Sequence, residues 1–301
     1  MDIAFFGLGN MGWPMARRLH EAGHTVRCYD PSPEARARAE SAGLSTLSDA
    51  TEAASSDVVL LMLPNSDVVE AVLLRDGLLA AMPAGSTVVD MSSSRPASTR
   101  TLAEKAGARR VRYVDAPVSG GVIGAESGNL TIMVGGAAED VAALKPVLDA
   151  LGNKVMHVGP PGAGHALKAL NNLMSATHLL VSSEALLAGR EFGLDVQVML
   201  DAINTSSGRS GSTEVKWPKY VVTGRYDSGF GAALMLKDMG IALDLATELG
   251  VPAPLTTSAV ALWRQAVAAL PPGADHTAIV QWLENERTEQ AGTARPAESP
   301  A

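Results

Sequence analysis

DIAFFGLGNMGWPMARRLHEAG, residues 2–23, decides the fold of the N-terminal half. Five mostly apolar residues read as a strand. A glycine cluster interrupts them, and a stretch with helical spacing follows. The cluster is G-x-G-x-x-G, with Gly7, Gly9 and Gly12 placed between strand and helix. In that setting Gly7 permits a tight turn, Gly9 lets a pyrophosphate approach the backbone, and Gly12 lets the helix pack on the strand. The helix N-terminus adds free N–H groups and a partial positive charge. The loop as a whole, Gly7, Leu8, Gly9, Asn10, Met11 and Gly12, is therefore a candidate cofactor-binding turn. A tight βα turn without a ligand is the plainer alternative.

Working outward, TVRCY is a second strand, and Asp30 stands just past it. A carboxylate there accepts hydrogen bonds from ribose hydroxyls and repels a 2′-phosphate, which favours NAD over NADP. Its competing reading is the first residue of a DPSP turn. Arg36 and Arg38, a turn or two further on, read as a solvated helix face, the alternative being cations that would accommodate NADP. VVLLML, STVVDM, VRYVDA, LTIMVGG and KVMHVG continue the strands, with Ala-rich helical stretches between most of them. Strands alternating with helices imply a Rossmann-type doubly wound α/β fold with a mostly parallel sheet.

After residue 160 the strand signal disappears. AGHALKALNNLMSATHLLVSSEALLAGREFG reads as one connecting helix of about thirty residues, followed by further helices bounded by Gly or Pro. The expected organisation is a dinucleotide-binding domain over 1–162 and a long interdomain helix over 163–193. An all-α domain for substrate closure and oligomerisation follows over 194–288, then a flexible tail over 289–301.

Composition excludes several classes. The 301 residues are 47% hydrophobic and 19% charged, enough to bury a large core and unlike a disordered chain. A net charge of −8 argues against nucleic acid or an anionic membrane as main partner. Cys28 is the single cysteine, so no internal disulfide forms and a reducing, cytoplasmic setting is expected. No apolar run approaches the roughly 20 residues of a membrane span. The histidines are scattered, no metal-ligand spacing occurs, and no metal is expected. His165 reads as a satisfied or solvent-facing histidine.

Further candidates lie at strand ends, where doubly wound sheets bind ligands. Leu63 and Pro64 end one such strand. Ser92, Ser93 and Ser94 follow the next, as helix caps or as ligand contacts. DAPVSGG, 115–121, offers a hydroxyl and two glycines suited to an anion such as a carboxylate, or forms a plain turn. On the long helix, Asn172 and Asn171 lie one turn beyond Lys168, near one face. A lysine in Ala/Leu surroundings is desolvated, which lowers its pKa and suits proton transfer near neutral pH. A snorkelling surface lysine is the alternative. Gly162 and Gly164 at the helix entrance leave room for a backbone or a ligand.

With those residues in view, the chain resembles the β-hydroxyacid dehydrogenase family, in particular its 3-hydroxyisobutyrate dehydrogenase branch. The matching stretches are FFGLGNMGWPMA, DAPVSGG, GAGHALKALNN, INTSSGRS, and Phe230 with LMLKD. The resemblance implies Lys168 as catalytic lysine with Asn172 beside it. It implies Ser119, Gly120 and Gly121 as holders of the substrate carboxylate, with Asn171 nearby. Ser93 stands where the family usually has a threonine near the nicotinamide. Lys237 approaches the cofactor, and Phe230 and Asp238 close the site from the helical domain. The implied reaction is reversible, NAD-dependent oxidation of a β-hydroxy acid to its semialdehyde, by a homodimer or homotetramer. Tartronate semialdehyde, succinic semialdehyde and glyoxylate are alternative substrates within the family, and a non-catalytic NAD-binding scaffold is the alternative outside it. RSGSTEVKW departs from the family pattern, where an aromatic often follows, and bears on which substrate is taken.

Overall fold

The computed structural model describes residues 1–293, with side chains described through Arg287. The chain divides into two compact units, Met1–Ala169 and Leu170 onward.

The first unit is built on a nine-stranded sheet. Its strands are β1 Asp2–Phe6, β2 Thr25–Tyr29, β3 Ser45–Thr46, β4 Val58–Leu61, β5 Thr87–Asp90, β6 Arg112–Asp115, β7 Val118–Ser119, β8 Thr131–Gly135 and β9 Lys154–Gly159. The order is β3-β2-β1-β4-β5-β6-β8-β7, with β9 paired to β8. From β3 to β6 every pairing is parallel; β8 runs antiparallel to β6 and β7. The order reverses between β1 and β4, and Phe6 and Leu61 end those two strands in register. That is the topological switch point, where the crevice of a doubly wound sheet opens.

Successive strand residues point to opposite faces, so both faces of the central strands must be covered. Ile3, Phe5, Leu60 and Val89 pack one face with Met15 and Leu19 of the helix Gly12–Glu21. Ala4, Phe6, Leu61 and Val88 pack the other with Leu73 and Leu102. The sequence reading omits β3 and β7, which are two residues each and carry no periodicity.

The helix Ala163–Phe192 is 30 residues long. The second unit adds the helices Val196–Asn204, Ala232–Glu248, Pro254–Ala269 and Ile279–Thr293 around a core that includes Leu179, Leu186, Met239, Trp263 and Ile279. Ser212–Val221 is a wide, π-type helix with Pro218 inside it, and Val222 N–H donates to Trp217 O at 2.9 Å. A proline normally signals a helix end, so this element is silent in the sequence. The final helix reaches Thr293, so 289–293 of the expected tail have helical backbone, while 294–301 lie outside the described residues. Among the described residues no helix is long and apolar enough to cross a membrane.

Candidate active site

The glycine turn leaves β1 at the switch point. Gly7 has φ +93°, and a Cβ there would lie 2.2 Å from Met62 O; at Gly12 it would lie 1.8 Å from Gly7 O. Both glycines are required by their own backbone neighbours. Gly9 is different: nothing lies within 4 Å of a Cβ at that position. An exposed glycine without a packing reason, at the tip of the turn, fits a backbone kept bare for a pyrophosphate. The loop thus fits a dinucleotide. Gly9 and Asn10 are exposed, Met11 is half-buried and Leu8 is buried, so Leu8 offers its main chain.

Asp30 serves this turn directly. Its Oδ2 accepts the Leu8 N–H at 2.7 Å and its Oδ1 accepts the Ser32 N–H at 2.9 Å. The turn-start reading of Asp30 has its counterpart in the Ser32 bond, and the Leu8 bond adds a role the sequence did not suggest, bracing the glycine loop. Of the two arginines read as a solvated face, Arg38 is exposed and Arg36 is half-buried, and both also reach main-chain oxygens. Arg36 donates to Asp30 O, and Arg38 donates to Leu8 O while its guanidinium lies 5.0 Å from the Trp13 ring centroid.

The serine run after β5 separates by function. Ser92 Oγ accepts the Leu63 N–H at 2.9 Å, and Ser94 Oγ donates to Asp90 Oδ2 at 3.0 Å. Arg95, not a serine, occupies the cap of the helix Pro96–Ala108. Ser93 is the half-buried member; beside the strand ends Leu63 is half-buried and Pro64 is exposed.

Lys168 is positioned by a buried polar network that the sequence did not announce. Asp115, at the end of β6, accepts the Gly162 N–H at 2.7 Å and the His165 N–H at 2.9 Å, pinning the first turn of the long helix. His165 is 1% exposed; its Nε2 meets Ser92 O at 3.0 Å and its Nδ1 pairs with Thr99 Oγ1 at 2.7 Å. The satisfied reading of His165 holds, and the solvent-facing one does not. Burial pushes the Asp115 carboxyl above the usual carboxylate range, against the pull of His165 and the two N–H bonds. A Cβ on Gly164 would meet Met133 O at 2.3 Å, so the room left at the helix entrance is taken by another backbone. Lys168, three residues past His165, is 8% exposed, which the snorkelling reading does not accommodate.

Ser119 ends β7, and Gly120 and Gly121 follow with φ +134° and +62° before the helix Gly121–Ser127. Gly121 has open space where a Cβ would stand, and its amide belongs to a first helical turn that lacks intrahelical acceptors. The geometry leaves N–H groups for an anion.

In the second unit Asn172 is buried, and its Nδ2 donates to Asp238 Oδ2 at 2.6 Å. Lys237 Nζ lies 3.4 Å from the other oxygen, Asp238 Oδ1. Asn171 is exposed and donates to Asn172 Oδ1 at 3.2 Å. The Phe230 ring meets His276 edge-on with centroids 5.9 Å apart. Burial, reinforced by the Lys216 charge and opposed by Asp275, pushes His276 down to about 4. Below its ordinary 6.5 the unfolded chain takes up a proton that the folded one refuses. Stability should therefore fall as pH drops from 6.5 towards 4, by about 3 kcal/mol across the window. Urea denaturation at pH 7 and pH 4.5 checks this: His276→Asn should flatten the loss, and an unchanged pH slope would count against it.

Comparison with known proteins follows the same outline. Residues 2–159 match the family described as the NAD binding domain of 6-phosphogluconate dehydrogenase. Residues 162–283 match the one described as the NAD-binding of NADP-dependent 3-hydroxyisobutyrate dehydrogenase. The chain is 40% identical over 265 residues to 2-(hydroxymethyl)glutarate dehydrogenase of Eubacterium barkeri, spanning 87% of this chain and 88% of that protein. It is 36% identical over 294 residues to the mitochondrial 3-hydroxyisobutyrate dehydrogenase of Homo sapiens, spanning 95% and 88%. Among solved structures it is similar to a Mycobacterium tuberculosis 3-hydroxyisobutyrate dehydrogenase determined with L-serine, with TM-score 0.89, 35% identity and coverage of 94% and 98%.

Proposed function

The chain belongs to the β-hydroxyacid dehydrogenase family, and from that premise we propose that Lys168 moves the hydroxyl proton as a β-hydroxy acid is reversibly oxidised to its semialdehyde. The protein is an oxidoreductase acting on CH–OH groups with an NAD-type cofactor. The observation that carries the role of Lys168 is its burial on a helix whose first turn is pinned to Asp115, at the carboxyl end of β6. In a parallel sheet that edge is also where the glycine turn opens.

Bound NAD supplies the acceptor for the hydride that leaves the carbinol carbon. Ser119 with the amides of Gly120 and Gly121 holds the substrate carboxylate and fixes the orientation of the reacting carbon. In oxidation the neutral Lys168 amine takes the hydroxyl proton at Nζ; in reduction its ammonium returns one to the carbonyl oxygen. Asn172, one helical turn on, orients the hydroxyl, and Asp238 fixes its amide by accepting from Nδ2. Ser93, Leu63, Pro64 and Lys237 contribute to the cofactor side, and Phe230 to the substrate side. Activity with 3-hydroxyisobutyrate and NAD, lost in the Lys168 variants discussed below, tests the reading.

The cofactor preference is read from Asp30. A carboxylate just past β2 would meet a 2′-phosphate with like charge, and the Arg36 and Arg38 guanidinium groups that would offset it are tied to main-chain oxygens. Wild-type kcat/KM should favour NAD over NADP by at least about tenfold, because like charges in contact cost several kcal/mol. Asp30→Ser should shrink that ratio; a ratio that stays put removes Asp30 as its source.

Self-association is read from exposed apolar residues in the second unit, among them Met174, Val181, Leu249 and Leu255. Sedimentation as a monomer would remove the dimer or tetramer reading. A cytoplasmic location is supported by the single cysteine, Cys28, whose thiol is buried and pushed up to about 12. The relatives' names span substrates with one carboxylate and with two, so kinship leaves the substrate side chain open.

A further inference from the structure

Lys216 projects from the π-type helix Ser212–Val221, inside the stretch where the sequence departs from its family. It takes no part in the mechanism above. Its Nζ donates to Ser175 Oγ at 2.7 Å, and among the described residues that is the one hydrogen-bond partner of its three N–H donors. Ser175 lies on the long helix, one turn beyond Asn172. On its other side, Lys216 lies close enough to His276 for its charge to depress that histidine, and the His276 ring packs against Phe230. The ammonium is thus hydrogen-bonded one turn from Asn172 on the long helix, and its charge acts on the histidine that packs against Phe230.

The positive charge has no direct carboxylate partner among the described residues. Asp275 is the nearby carboxylate, and its oxygens are occupied by the N–H groups of Gly229, Phe230 and Thr277 and by the Ser228 hydroxyl. No ion pair within 4 Å joins it to Lys216 among the described residues. Burial lowers the Lys216 pKa to about 8, with Asp275 opposing, so the group is mainly charged at neutral pH. Two further buried polar atoms, Ser212 Oγ on the same helix and Nε2 of His276, also have no hydrogen-bond partner among the described residues. Such groups are costly to leave unpaired. The arrangement is an incomplete anion site with one cation, backed by the Asp275 carboxylate, near substrate-assigned residues.

We propose that Lys216 binds a second carboxylate on the substrate, so that the preferred β-hydroxy acid is a dicarboxylate whose side chain at C2 ends in an anion. This rests on the site reading given above and adds the class of side chain. A single lysine backed by Asp275 suits a monoanion; a phosphate dianion would bring a second negative charge towards Asp275 with no further cation to meet it.

The test compares 2-(hydroxymethyl)glutarate with 2-(hydroxymethyl)pentanoate, in which a methyl group replaces the distal carboxylate, and runs 3-hydroxyisobutyrate beside them, all with NAD near pH 7. The wild-type enzyme should show a kcat/KM for the dicarboxylate about ten- to a hundredfold above the pentanoate, the range of a charge-assisted hydrogen bond. Lys216→Met should bring the ratio close to one, and Lys216→Arg should retain most of it. A lysine that only braced its helix would lower both values together and leave the ratio alone. A wild-type ratio near one overturns the proposal without any variant, and so does a ratio that survives Lys216→Met. If 3-hydroxyisobutyrate is oxidised and the ratio is one, the inference alone fails. If none of the three compounds is oxidised, the site reading beneath it fails too.

Discussion

Lys168→Ala should lower kcat by about 10²–10⁴-fold, the usual contribution of a positioned general acid or base, while the Kd for NADH stays within about threefold of wild type. The separation follows from where the parts are. The glycine turn is held by Asp30, Tyr29 and Met62, none of which depends on the lysine. The helix start that carries Lys168 is held by Asp115, Thr99 and Ser92 through Gly162 and His165. Removing the amine therefore removes a proton carrier without releasing either clamp. Lys168→Arg makes the test sharper. Arginine keeps the charge but stays protonated at any working pH, so it cannot accept the hydroxyl proton. Its kcat in the oxidation direction should fall as far as that of the alanine variant. Near-normal kcat in either variant, measured by NADH formation, would remove Lys168 from the chemistry.

The glycines of the turn should divide into two kinds. Gly12→Ala places a Cβ 1.8 Å from Gly7 O and 3.1 Å from Phe5 Cε1. The nearest obstacle is backbone and cannot rotate away, so the turn or the helix must move. A loss of more than about 4 kcal/mol of stability is expected, with NADH binding lost alongside. Gly9→Ala meets nothing within 4 Å and has no strained φ, so its melting temperature should match wild type. Its methyl group nevertheless stands where a pyrophosphate would approach, and NADH affinity should fall by at least about tenfold. Calorimetric melting and fluorescence titration of the two proteins check both halves. A Gly9→Ala protein that bound NADH as well as wild type would mean that the tip of the turn is bare for some other reason.

Much of this was readable before any coordinates. Strands β1, β2, β4, β5, β6, β8 and β9 were legible because central strands of a covered sheet are continuously apolar, and the helix Ala163–Phe192 because its pattern runs unbroken between glycines. The Ser212–Val221 helix was not, since Pro218 reads as a stop and the i→i+5 spacing matches no standard period. At the site, local motifs were legible and long-range partnerships were not. Nothing in the sequence ties Asp115 to Gly162, 47 residues away, or Thr99 to His165, 66 away. The same holds for Arg36 and Arg38: helix position suggests solvent, where Arg38 does stand, but not that their long side chains reach back to the main chain of Asp30 and Leu8. Asn171 and Asn172 looked equivalent by spacing, yet one is exposed and the other is buried against Asp238. Lys216 stands beside an aromatic, but its hydrogen-bond partner Ser175 lies 41 residues away, and the carboxylate acting on its charge, Asp275, lies 59 away in the other direction.

A crystal structure of the wild-type enzyme with NAD and a β-hydroxy acid tests the central claim most directly. Lys168 Nζ should stand within about 2.6–3.2 Å of the substrate hydroxyl oxygen, or one water away, with the carboxylate on Ser119 and the Gly120–Gly121 amides. An amine turned from the substrate, with a different side chain on the hydroxyl, would contradict it.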